Sequence, residues 1–214
     1  MTLTIDGSRS LSADAVTALE AVCDRAEDQG PAGVMRIVVS GAPNGSWTRN
    51  LGVALVSKWE RALRRLERLP VTTVALAAGD CGGMALDALL ATDYRVATTT
   101  VRLLVPVEDG STWPGMALYR LAQQAGVARI RRAALFGRPI EAAEALDLNL
   151  VHELTENLDS ALATAPELAV ARPDLAIRRR LLLDAATTSF EEALGAHLAA
   201  CDRLLRRTVS GVLS

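Results

Sequence analysis

The stretch Leu69–Ala97, LPVTTVALAAGDCGGMALDALLATDYRVA, decides the reading of the fold. Thr72 to Ala77 is β-branched and apolar, the pattern of a buried strand. Gly79 to Gly83 then predicts a glycine-rich turn, Met84 to Leu90 an apolar helix, and Tyr94 to Ala97 another short strand. Strand, glycine turn and helix in immediate succession is the first arrangement in the chain that suggests chemistry. It brings the unpaired backbone N–H groups of a helix start close to whatever lies beyond the glycines.

Upstream, Leu3 and Ile5 alternate with polar residues as a first strand, and Val16, Leu19, Val22, Cys23 and Ala26 recur at helical spacing behind a Ser12 cap. Val34 to Val39 predicts a buried strand, and Ala42 to Asn50 an irregular loop. Val53, Val56, Trp59, Leu63 and Leu66 mark an amphipathic helix with Lys58, Arg61, Arg64 and Arg65 on its solvated face. Downstream come a strand over Val101 to Val105, a loop with Pro106, Gly110, Pro114 and Gly115, and helices over about Met116 to Gln124 and Ala128 to Leu135. Ile140 to Leu146 predicts a short helix and Leu150 to Leu154 a strand. After Asn157 the pattern is helical, in runs Leu158 to Val170, Asp174 to Ala186 and Ser189 to Arg207. Alternation of strand and helix, then helices alone, predicts an α/β core over residues 1–156 and a C-terminal helical region over 157–214.

Composition narrows the function classes. Half of the 214 residues are hydrophobic but only 3% are aromatic, so the core has to be built from Ala, Val, Leu and Ile. A net charge of −2 leaves no basic excess, which argues against a nucleic-acid partner. Lys58 is the only lysine, so phosphate contacts would have to come from Arg or backbone N–H groups. Cys23, Cys81 and Cys201 are far apart and odd in number, supporting neither a disulfide framework nor a metal site. The start carries no apolar run of signal length and no stretch approaches membrane-spanning length, so a cytoplasmic protein without a membrane partner is expected.

The quoted stretch resembles the crotonase (enoyl-CoA hydratase/isomerase) pattern P-x-P-V-I-A-A-V-N-G-x-x-x-G-G-G-x-E followed by C-D-x-R-I-A. Without a gap, Gly79 falls on the Gly of N-G, Gly83-Met84-Ala85 on the glycine triplet, Asp87 on the acidic position and Asp93 on the later Asp. Pro114-Gly115 matches the family's I-P-G, Ile37–Gly41 its V-V-L-T-G, and ALFGRPIEAAEALDLNLVHEL its later helix-and-strand motif. The resemblance covers about Val34 to Leu205 and implies a ββα spiral core with a C-terminal helical extension that assembles as a homotrimer or hexamer. It also implies an acyl-CoA thioester as substrate, with coenzyme A entering as part of it and no bound cofactor.

The same register implies site residues. Met84 N–H is the expected first donor to the thioester oxyanion, and Gly82, Gly83 and Ala85 keep its surroundings small. The second donor comes in the family from A-F-x-A-G-x-D, replaced here by Ser46-Trp47-Thr48-Arg49-Asn50, so Arg49 N–H is expected there, with Trp47 for the Phe and Thr48 beside it. Hydratases of this kind use two carboxylates. Asp87 takes the first place, whereas Val107 stands at the second, with Glu108 and Asp109 following, so Glu108 is expected to complete the pair. Trp113 is placed to line the acyl site, while Cys81, without a base at nucleophile spacing, reads as a small apolar filler.

Within the family the chain is most similar to small hydratase-like proteins of the 3,5-dihydroxyphenylglycine route to glycopeptide antibiotics. That implies a lyase promoting dehydration and aromatisation of a polyketide-derived CoA thioester, alongside a type III polyketide synthase and a second crotonase. The alternative is a catalytically degenerate crotonase that serves as a binding subunit for either of them. Val107 and the missing Gly and Asp of the loop are what make that alternative credible.

Overall fold

The computed structural model describes residues 1–31, 33–164 and 174–212. The chain divides into two compact units, Met1–Arg172 and Pro173–Ser214. In the first, β1 (Thr2–Asp6), α1 (Ala13–Asp28), β2 (Val34–Gly41), α2 (Val53–Leu66), β3 (Thr72–Gly82), α3 (Met84–Leu90) and β4 (Tyr94–Thr98) alternate, and the four strands pair in parallel in that order. The Ser12 cap forms: its hydroxyl accepts from Ala15 N–H at 3.2 Å, satisfying one of the helix's free donors.

β3 is longer than its apolar run predicts because it serves two neighbours. As far as Ala77 it pairs with β4. Gly79, at φ 59°, then takes a left-handed step, and Asp80–Gly82 pairs instead with β5 (Arg102–Leu104). The register against β2 shifts at the same place, from Ser40 opposite Ala78 to Gly41 opposite Cys81. The predicted glycine turn is therefore a kinked strand that delivers Gly82 to the start of α3.

The loop after β5 contains a hairpin of β6 (Val107–Glu108) and β7 (Ser111–Thr112). Its two-residue turn has Asp109 at φ 50° and Gly110 at φ 78°, the left-handed pair that an Asp-Gly dipeptide tolerates. Then follow α4 (Met116–Ala125), α5 (Val127–Phe136), β8 (Ile140–Glu141), α6 (Ala142–Asp147), β9 (Glu153–Thr155) and α7 (Leu158–Thr164). The short helix expected from Ile140 is preceded by β8, which pairs antiparallel with β5. The strand expected from Leu150 starts only at Glu153, because the N–H groups of Leu150 and Val151 both bond to Ala145 O and close α6 instead.

The core is aliphatic, as the composition requires. In α3, Met84, Ala85, Leu86, Ala88, Leu89 and Leu90 are all buried, leaving Asp87 as the sole polar side chain on a helix packed nearly all round. α7 packs through Leu158 and Ala161 on Leu76 and Val96, so it belongs to the first unit; residues 165–170 of the expected helix lie outside the described residues. The second unit holds α8 (Leu175–Ala185) and α9 (Phe190–Val212), with Arg207 bonding Asp174 at 2.5 Å. No helix among the described residues is long and apolar enough to cross a membrane.

Candidate active site

Glycine makes the close approaches at the end of β3. A Cβ on Gly82 would sit 2.9 Å from Ala42 Cβ and 3.0 Å from Leu104 O, and one on Gly83, at φ 52°, would meet the Pro43 ring at 3.1 Å. The start of the 42–50 loop therefore lies directly against the turn into α3. The first intrahelical bond there runs from Asp87 N–H to Gly83 O at 3.0 Å. Met84 N–H, one of the unpaired donors of a helix start, bonds to no backbone carbonyl among the described residues.

One turn on, the Asp87 side chain faces a small cavity of about 40 Å³ that it shares with Gly83, Met84, Glu60 and all three tryptophans of the chain, Trp47, Trp59 and Trp113. Trp59 Nε1 donates to Asp87 Oδ2 at 3.1 Å. Burial pushes the Asp87 carboxyl up to about 7, the negative charge of Glu60 adds to the rise, and the Trp59 bond and Arg120 oppose it. Such a group exchanges its proton near neutrality, as a general acid or base needs.

Glu60 reaches the cavity from α2. It accepts from Arg120 Nη1 at 2.8 Å, and Arg120 Nε bonds Glu67 Oε1, also at 2.8 Å. The Arg120 side chain is only 7% exposed, so the cation is buried with two carboxylates around it. Glu60 is itself raised above its ordinary value, by burial first, with Arg120 pulling it back. Neither Trp59 nor Glu60 was expected at the site. The available signal was modest: Glu60 and Glu67 are seven residues apart, hence on one side of α2, directly beside the Trp59, Leu63 and Leu66 stripe.

Trp47 and Trp113 meet edge to face, with ring centroids 5.2 Å apart. Gly115 allows this: a Cβ there would lie 2.6 Å from Trp113 Nε1. Trp47 Nε1 is buried and has no hydrogen-bond partner among the described residues. A buried donor left unpaired costs on the order of 1–3 kcal/mol, so it is suited to an acceptor brought by a ligand.

The structure thus brings Met84, Gly83, Asp87, Trp47 and Trp113 together around one cavity. It places the remaining expected residues differently. Arg49 faces an outer groove with Ser10, Ser46 and Asn50, and its N–H closes a turn on Ser46 O at 3.4 Å. Thr48 N–H points at Glu108, donating to Oε2 at 3.2 Å across the hairpin. Glu108 is therefore engaged with the loop rather than with Asp87, Asp109 sits in the hairpin turn, and Gly82 supports the loop from below. Cys81 is a filler as expected, its thiol buried and pushed up to about 12, far from a thiolate, and the neighbouring Asp80, which had no expected role, forms an ion pair with Arg102. Among the described residues no cluster of His, Cys, Asp and Glu could hold a metal.

A kinked parallel strand that ends in glycine, a short buried helix and an acidic residue one turn into it reproduce in three dimensions the crotonase-like pattern of the sequence. The comparisons agree: the Enoyl-CoA hydratase/isomerase family model matches residues 50–211, and the chain belongs to that family. An enoyl-CoA-hydratase of Amycolatopsis orientalis is 53% identical over 97% of this chain and 96% of its own. Among solved structures, an enoyl-CoA hydratase from Shewanella pealeana superposes with a TM-score of 0.81 over 95% of this chain and 83% of its own, at 16% identity. A Silicibacter pomeroyi member of the enoyl-CoA hydratase/isomerase family gives 0.80 over 96% and 94%, at 20% identity. At those identities the two structures speak for the fold alone.

Proposed function

We propose that this chain is a lyase acting on a CoA thioester, promoting loss of water and aromatisation on the route to 3,5-dihydroxyphenylacetyl-CoA and dihydroxyphenylglycine. The observation that carries this reading is Asp87, a carboxyl pushed up to about 7 in the cavity that Met84 and three tryptophans line. A base takes the proton α to the thioester, and the electron pair moves onto the carbonyl oxygen, where Met84 N–H stabilises it. The enolate then expels the β-hydroxyl, which leaves as water once Asp87 has protonated it. The tryptophan walls suit a flat, conjugated acyl group, and the unpaired Trp47 N–H suits an oxygen on it.

Coenzyme A enters as part of the substrate, its phosphates held by Arg side chains or backbone N–H groups. Phe190, Leu198 and Leu205 are exposed along α9, which supports assembly as a homotrimer or hexamer, or with another crotonase. Light scattering that returns a clean 22.7 kDa monomer counts against that assembly.

A second reading, a degenerate crotonase serving as accessory subunit to a type III polyketide synthase or a second crotonase, is favoured by one observation. Arg49 N–H is already bonded within its own turn, so that backbone donor does not complete an oxyanion hole in this conformation. The two readings separate when the pure protein is incubated with the synthase products, alone and with the partner crotonase, and aromatisation is followed. Loss of the enhancement in Asp87→Asn supports the lyase; an unchanged enhancement supports the accessory subunit.

A further inference from the structure

The lyase reading leaves one group unnamed, the base that removes the α-proton. The register expected Glu108 to supply the second carboxylate, and Glu108 is bonded to the Thr48 N–H instead. A different carboxylate borders the cavity beside Asp87. Glu60 lies next to Trp59 on α2, so one turn of that helix supplies both the hydrogen bond to Asp87 and a second carboxylate on the same cavity. Its orientation is fixed by Arg120, which is buried and held in turn by Glu67.

We infer that Glu60 is the base of this site and Asp87 its acid. The inference rests on the lyase reading above. The division of labour follows from the surroundings of each group. Glu60 has a cation at 2.8 Å, which favours its ionised form, while burial of the carboxylate strengthens its basicity. Asp87 has an indole donor and no cation in contact, and the neighbouring Glu60 charge favours its protonated form. Two carboxyl groups whose surroundings separate their protonation in this way are matched to one acid and one base role.

The step balances within the pair. Glu60 takes the α-proton and becomes neutral, and the C–H electron pair becomes the enolate. The enolate re-forms the carbonyl, the β C–O bond breaks, and Asp87 gives its proton to the departing hydroxide, releasing water. The net change is one proton moved from Asp87 to Glu60, and exchange with solvent returns it. The charged groups facing the pair are Arg120 from α4, Glu67 at the C-terminal cap of α2 and Arg9 from the loop after β1.

The half-reaction can be read without elimination. Phenylacetyl-CoA has acidified α-protons and no β-hydroxyl, so deuterium uptake from D₂O, followed by mass spectrometry, reports the base alone. The unmodified protein is expected to catalyse the uptake. Glu60→Gln should slow it by about 10²-fold or more, the usual worth of a positioned base, and Glu60→Asp should restore part of it. Asp87→Asn should lower water loss from the synthase products at least tenfold more than it lowers deuterium uptake. Because Glu67 still pairs Arg120 in Glu60→Gln, the fold should survive, and thermal unfolding checks this. Uptake at the unmodified rate in Glu60→Gln overturns the assignment of Glu60 while leaving the lyase reading intact. No uptake by the unmodified protein counts against the lyase reading itself, and this assignment falls with it.

Discussion

Trp59 Nε1 donates to Asp87 Oδ2 at 3.1 Å, and through this bond α2 positions the carboxyl that α3 carries into the cavity. The donor stabilises the ionised form of a group that burial drives toward protonation. Trp59→Phe keeps a ring in a position that is only 2% exposed but removes the N–H. The Asp87 midpoint is expected to rise above its present value of about 7, moving the pH profile of water loss to higher pH. The smaller ring should also cost roughly 1–3 kcal/mol in a denaturant titration.

Asp87 also ties stability to pH. Its folded value of about 7 lies above the ordinary 3.8, so between those limits the native state binds more protons than the unfolded chain. The stability it contributes is present below the lower value and is lost as pH rises through the upper one. Asp87→Asn, which keeps an oxygen for the Trp59 bond, removes this dependence. Relative to the unmodified protein it should gain on the order of 2–4 kcal/mol on going from about pH 4 to about pH 8 in urea unfolding.

Much of this was legible in the sequence, and the boundary has physical causes. β3, the glycines and α3 are set by local chemistry: β-branched residues, then glycine, then an apolar run, with Asp87 at a fixed offset. Glu60 was not legible, because what makes it part of a site is Arg120, sixty positions away on α4. The same separation hides the Thr48 N–H partner of Glu108. β9 was displaced for a related reason. Leu150 and Val151 are apolar enough for a strand, but their N–H groups are taken by Ala145 O, a choice made by α6 and invisible in the residues themselves.

Arg120 is the cation on which two partly buried carboxylates depend, at 2.8 Å each. Arg120→Met fills a similar volume but leaves Glu60 and Glu67 without it. Removing one partner of a buried pair typically costs about 3–5 kcal/mol, and a loss of this size is expected in the denaturant midpoint. Adding Glu60→Gln and Glu67→Gln to that variant should recover most of the loss.

Gly7 follows β1 and lies where that strand's end meets the ends of β2 and β3. A Cβ there would stand 2.3 Å from Gly82 O and 2.4 Å from Gly41 O, backbone atoms that cannot swing aside. Gly7→Ala is expected to cost about 3 kcal/mol or more, at the upper end of overpacking penalties, and to lower the melting temperature accordingly. Gly52→Ala, where a Cβ meets nothing within 4 Å, serves as the control and should be nearly neutral.

Glu108 accepts from Thr48 N–H instead of facing Asp87, and two substitutions separate a loop-holding role from a proton-transfer role. If it acts by holding the 42–50 loop through Thr48 N–H, an uncharged acceptor should suffice. Glu108→Gln keeps an amide oxygen where the carboxylate oxygen was, so activity should stay within about threefold of the unmodified protein, because the bond is weakened but not lost. Glu108→Ala removes the acceptor, and the loop that carries Trp47 to the cavity loses its tie to the hairpin. Activity should then fall by about tenfold or more, chiefly in KM, since the wall of the acyl site has loosened while Asp87 and Glu60 are untouched. A proton-transfer role for Glu108 gives the opposite pattern: Gln as damaging as Ala, with the loss in kcat. Steady-state kinetics of the two variants decides between them.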